Sequence, residues 1–125
     1  MSGSRLPAAL EVAALIRFVE AKGGFGLVVH RGEPDSGTIL IVIVDNQGFG
    51  QSDAQVYERL PRSDGTRGWT LSKSQDHQNK AEFERYLHRR IAQDRDLWIV
   101  ELAIAEGEQF IRNLEGIENK PGFMG

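Results

Sequence analysis

The sequence contains no cysteine. That absence excludes disulfides, thiolate nucleophiles, iron–sulfur clusters and cysteine-ligated zinc, and it suits a reducing compartment. Nor is there an excess of base: 15 Lys and Arg against 18 Asp and Glu leave a formal net charge of -3 and a pI near 5.6. A protein that grips a phosphate backbone needs a surplus of Lys and Arg to release counterions, so no nucleic-acid partner is expected. No stretch approaches the roughly 20 apolar residues that span a bilayer. The N-terminus lacks the ordered basic, apolar and small-residue regions of a secretion signal, since Glu11 and Glu20 interrupt its apolar run. The expectation is a cytoplasmic protein with no membrane partner.

Catalytic and cofactor signatures are also missing. His30, His77 and His88 lie far apart and form no HExxH or HxH ligand pair, so no metal site is expected. There is no GxSxG elbow for a serine nucleophile. The glycine clusters GGFG (23–26) and GFG (48–50) lack the GK[ST] ending of a P-loop, and GGFG follows a helix and precedes a strand, the reverse of a dinucleotide fingerprint. Both read as turn and cap glycines, and no cofactor is implied.

What is present is an ordinary globular composition, 40% hydrophobic and 26% charged over 125 residues, enough for one core. Ala8, Val12, Leu15, Ile16 and Val19 recur at helical spacing and predict a helix over 6–22, with Pro7 in its first turn and Gly23-Gly24 as its stop. FGLVVHR (25–31) and TILIVIVD (38–45) read as strands, and the short link between them predicts an antiparallel hairpin. Ile39 to Val44 is aliphatic without a break, the mark of a central strand apolar on both faces; one face is assigned to the first helix and the other to a second helix or a partner chain. AQVYERLP (54–61) and GWTLS (68–72), joined through Asp64-Gly65, continue a meander. A second helix is predicted over 76–93, capped by Asn79 or Ser72, and a last strand over 96–104 puts Leu97, Ile99 and Ala103 opposite Trp98, Val100, Leu102 and Ile104.

The fold class is therefore α+β: an N-terminal helix, a mostly antiparallel sheet of four to five strands, a second helix and a final strand rejoining the sheet. Residues 1–114 form the single domain, ending in a short helix over 107–114, and 115–125 form a tail expected to be disordered. The core is expected from Val12, Leu15, Ile16, Val28, Ile39, Ile41, Ile43, Phe83, Leu87, Ile99 and Val100.

Two charged segments are the candidate functional positions. In HRGEPDSG (30–37), Glu33 and Asp35 could serve as acid and base, but Pro34 presets φ, Asp35 can bond its own backbone, and Gly32 and Gly37 supply flexible ends, which together favour a simple turn. Near 85–98, Arg85, Arg89, Arg90 and Arg95 end beside Asp94, Asp96 and Trp98; guanidinium forks suit anions, whereas a solvated helix face with favourably placed cations is the plainer account. Exposed Tyr57, Trp69 and Trp98 on a sheet face would be needed for RNA, a weaker reading given the charge.

Taken together, GGFGLVVHRGEPDSGTILIVIV and RRIAQDRDLWIVEL resemble the signature segments of a family of small uncharacterised alphaproteobacterial proteins, a domain of unknown function. In that family the strand ends in an RGDPDAG-like turn and the helix in a DPDLWVVE-like corner. Arg31, Gly32, Pro34, Asp35 and Gly37 match the first, with Glu33 and Ser36 as departures; Asp94, Asp96, Leu97, Trp98 and Glu101 match the second, with Arg95 where proline is common. The resemblance implies a bacterial cytoplasmic setting and brings no substrate, cofactor or catalytic residue.

Two functional readings follow. One is a binding or assembly module without catalytic activity, partnered by another protein or by itself as a homodimer. The other is a small enzyme or binder of a small anionic ligand, whose pocket joins Arg31, Glu33 and Asp35 to Arg90, Asp94, Asp96 and Trp98. The second requires that two segments some sixty residues apart meet in space.

Overall fold

The computed structural model describes residues 6–45, 54–76 and 78–118; the GFG cluster, His77 and the end of the expected tail lie outside these. The elements are α1 (Ala8–Ala21), β1 (Phe25–His30), β2 (Ile39–Val44), β3 (Gln55–Pro61), β4 (Arg67–Ser74), α2 (Lys80–Gln93), β5 (Trp98–Ala103) and α3 (Gly107–Glu118). This is the expected α+β succession, with α3 running four residues beyond its expected end.

Each helix is set by its stripe and its ends. α1 buries Ala8, Val12, Leu15 and Val19 at three- and four-residue spacing. It stops in a Schellman arrangement: Gly23 N–H donates to the Glu20 carbonyl at 3.0 Å and Gly24 N–H to that of Val19 at 2.9 Å, with Gly23 at φ 90°. Asn79, rather than Ser72, caps α2, its side chain accepting from Glu82 N–H at 3.3 Å. α2 then buries Phe83 and Leu87, and α3 contributes Phe110, Ile111 and Leu114.

The sheet order is β1-β5-β2-β3-β4. The predicted β1–β2 hairpin is therefore absent. β5 lies between the two strands, antiparallel to β1 and parallel to β2. Their opposed directions were read correctly, but residues 31–38 are long enough to step across an intervening strand, two spacings of about 4.8 Å. From β2 the expected meander does form, and its β3–β4 turn is built on Asp64-Gly65: Asp64 Oδ1 accepts from Thr66 N–H at 3.0 Å, and Gly65 takes φ 87°.

Side chains alternate between two layers. Ile39, Ile41, Ile43, Trp98, Val100 and Leu102 point to α1 and α3, while Leu40, Val42, Val56, Leu97 and Ile99 point to α2. β2 is apolar on both faces because this chain's own helices cover both, so it needs no partner. Tyr57, Trp69 and Trp98 are likewise 4–6% exposed or less, in the core and not on a surface that could stack bases. Val28, expected in the core, is 36% exposed, because β1 is an edge strand.

Candidate functional site

The two charged segments meet. The main chain from Arg31 to Thr38 crosses the start of β5: Glu33 N–H donates to the Asp96 carbonyl at 3.0 Å, Trp98 Nε1 donates to the Glu33 carbonyl at 2.8 Å, and Trp98 N–H donates to the Thr38 carbonyl at 2.8 Å. The Arg31 guanidinium lies 5.5 Å from the centroid of Trp98, within cation–π range. His30, at the end of β1, donates from Nδ1 to the Leu97 carbonyl at 2.7 Å, which fixes its tautomer.

Gly32 and Gly37 are needed here for want of a side chain. A Cβ on Gly32 would lie 2.1 Å from the Asp96 carbonyl oxygen, and one on Gly37 2.3 Å from the same atom. Neither has a positive φ. The flexible ends inferred for them are in fact points where one backbone rests on another.

The same turn caps a helix. Pro7, at the N-cap of α1, offers no side-chain acceptor, and the orphan N–H groups of Ala8 and Ala9 donate instead to the carbonyls of Asp35 and Pro34, at 3.0 and 2.8 Å. Within the turn, Glu33 Oε1 accepts from the N–H groups of Asp35 and Ser36 at 3.0 and 2.6 Å and from the Ser36 hydroxyl at 3.0 Å. These bonds, those from Ser36 foremost, hold the Glu33 carboxyl below its ordinary value. Asp94 closes the corner after α2 in the same manner, its Oδ1 accepting from Asp96 N–H at 3.1 Å.

Arg90 stands apart from this junction. It forms a fork with Glu58 on β3, both contacts 3.0 Å, and donates to the Tyr86 hydroxyl at 2.9 Å. Its hydrogen bonds to Glu58 raise the Arg90 pKa and lower that of Glu58. Arg31, Glu33, Asp35, Asp94, Asp96 and Trp98 therefore converge, and Arg90 is tied elsewhere. The convergence is largely of main chain on main chain. A cavity of about 430 Å³ opens on its far side, between Asp35–Ile39, Pro7, the Glu11–Arg59 ion pair and Arg67, and no residue of 90–98 lines it. A groove of about 450 Å³ lies between α3 and the β3–β4 hairpin, over Tyr57, Trp69 and Ile111.

A surface the sequence reading overlooked lies along β1. The strand pairs only with β5, and Phe25, Leu27 and Val29 are 55%, 45% and 48% exposed. Leu27 sits in register with Glu101, a half-buried carboxylate that makes no hydrogen bond or ion pair with the described residues. The signal was there in FGLVVH, a strand without one charged residue, and in Glu101 as the lone charge of WIVELA.

The family model described as "Protein of unknown function (DUF1491)" matches residues 6–112. The crystal structure of a DUF1491 family protein from Caulobacter crescentus CB15 is similar at 30% identity and a TM-score of 0.66, over 79% of this chain and 88% of that one. An NMR structure of a DUF1491 family protein from the same organism gives 30% identity and a TM-score of 0.66, over 85% and 92%. The solution structure of protein Atu0922 from A. tumefaciens gives 28% identity and a TM-score of 0.62, over 82% and 88%. No curated protein matches.

Proposed function

We propose that this chain, which belongs to the DUF1491 family of proteins of unknown function, is a non-catalytic binding module whose working surface is the outer side of β1. The observation that carries the reading is the exposure of Phe25, Leu27 and Val29 together on one edge strand. Leaving each side chain about half exposed forgoes roughly 1 kcal/mol of burial, so covering the three is worth about 2–4 kcal/mol, the scale of an interface hot spot. The opposite edge is more polar, since β4 exposes Leu71 as its one large hydrophobic, among Arg67, Thr70, Ser72 and Lys73. An unguarded apolar edge is a template for another chain.

The converged turn and corner support this reading from the other side. The Glu33 and Asp94 carboxylates accept main-chain N–H groups, the Trp98 indole holds a carbonyl, and Arg90 holds Glu58. These groups are occupied in fixing the fold, which favours the surface of β1, where exposed apolar side chains cluster on one strand, over the junction as the binding surface.

A photo-crosslinking residue at Phe25 tests the reading in the native host. A discrete adduct formed from position 25, absent from the exposed α3 position Asn113 and lost when Leu27→Ser is added, is the expected result. Equal labelling from both positions, or none from position 25, overturns it. An adduct of twice the chain mass would make the partner a second copy.

A further inference from the structure

The two faces of the sheet are unequally clothed. Five strands about 4.8 Å apart span roughly 24 Å, and a helix with its side chains is about 10–12 Å across, so each face takes two helices. One face has α1 and α3; the other, among the described residues, has α2 alone. α2 is held toward β3 and β4 by the Arg90–Glu58 and Lys73–Glu82 pairs, the latter 2.7 Å. What the described residues leave uncovered is the part over β1 and β5 where Phe25, Leu27 and Glu101 stand.

Glu101 selects what can lie there. Its Cα neighbours across the sheet are Leu27 on β1 and Val42 on β2, so its carboxylate rises between two apolar side chains. Covering it with apolar groups alone would bury an unpaired charge, a penalty that exceeds the gain from the neighbouring contacts. The covering segment must bring a cation. We infer that the partner of this surface is an amphipathic helix of another protein, carrying a Lys or Arg within its apolar stripe, which docks beside α2 with the cation on Glu101 and the stripe on Phe25 and Leu27. This rests on the reading of β1 as a binding surface.

Two other occupants fit less well. A strand added to the free edge would sit in the sheet plane, two strand spacings from β5, and its side chains would meet Leu27 without covering Glu101. A second copy docking through FGLVVH supplies no Lys or Arg, and face to face it would oppose Glu101 with Glu101.

The test is a display library of 18-residue amphipathic helical peptides with the central stripe position randomised, selected in parallel on the wild-type chain and on Glu101→Lys. The wild type should enrich Lys or Arg at that position and the variant Asp or Glu. A synthetic Lys peptide should bind the wild type at least about tenfold more tightly than Glu101→Lys in fluorescence anisotropy, and Leu27→Ser should weaken it on either background. Unchanged melting temperatures establish that the variants fold. Peptides sensitive to Leu27→Ser but indifferent to Glu101→Lys overturn the cation pairing and leave β1 as a binding surface. Peptides indifferent to both, or no enrichment, overturn both readings. A dimer in light scattering that Leu27→Ser dissolves assigns the face to a second copy and overturns the inference alone.

Discussion

The indole of Trp98 donates to the main-chain carbonyl of Glu33 at 2.8 Å, across 65 residues of sequence. Trp98 is 2% exposed, so the bond is made at the margin of the core and joins the turn after β1 to the start of β5. Trp98→Phe retains a ring but removes the donor and part of the volume. It should destabilise the protein by about 2–4 kcal/mol in urea unfolding. A loss below about 1 kcal/mol would mean that the junction is held by its other contacts.

Gly32 and Gly37 offer a sharper test of the same junction. Ala at either position drives a methyl into the Asp96 carbonyl, part of the main chain of the crossing corner. Each substitution should lower stability by about 2–4 kcal/mol, beyond the roughly 1–2 kcal/mol expected for Gly65→Ala, where the strain is a positive φ with open space around it. Thermal melts of the three variants side by side give the order.

Glu58 sets an acid-sensitive contact between β3 and α2. Its hydrogen bonds from Arg90 hold the folded-state pKa below the ordinary 4.5, so the folded protein binds this proton more weakly than the unfolded chain. The stabilisation is complete above 4.5 and disappears as pH falls through the lower folded value. Glu58→Gln should lose about 1–2 kcal/mol at neutral pH, and the gap between its melting temperature and that of the wild type should narrow on acidification below 4.5. A gap that stays constant to low pH would assign the loss to packing.

Phe25→Ser and Leu27→Ser should leave stability within about 1 kcal/mol of wild type, because half-exposed side chains on an edge strand contribute little. Val100→Ala, at 0% exposure on the neighbouring strand, should lose about 2–3 kcal/mol. Chemical denaturation of these variants separates a surface kept for binding from one kept for folding.

Much of this architecture was legible because local periodicity decides it. The stripe of α1, the Gly23 stop and the alternation of β5, with Leu97 and Ile99 opposite Trp98 and Val100, follow from residues a few positions apart. Strand order did not follow, because Val- and Ile-rich β1 and β2 look like mutual partners and only the contact of Glu33 with Asp96 reveals the strand between them. The meeting of the turn with DRDLW could be framed from sequence only as a condition. Arg90 was misplaced because its acceptor, Glu58, lies 32 residues away and is marked by no pattern. The roles of Gly32 and Gly37 were hidden for a similar reason: a missing Cβ matters only once the opposing backbone is known.

The central place of β5 has a consequence for how the chain is made. The strand that joins β1 to the rest of the sheet is among the last segments synthesised, so the sheet cannot close until residues 98–103 have emerged. Until then β2 can pair with β3 on one side, but its other edge and the whole of β1 lack the strand that belongs between them, and a hairpin of β1 with β2 would be a premature product that must open to admit β5. Such an interruption, with its long sequence separations, makes for slow folding and a nascent chain exposed to mispairing. The tightly tied turn at 31–37 gains its own contacts to β5 only after that insertion, which makes it the latch of the finished fold and not its seed.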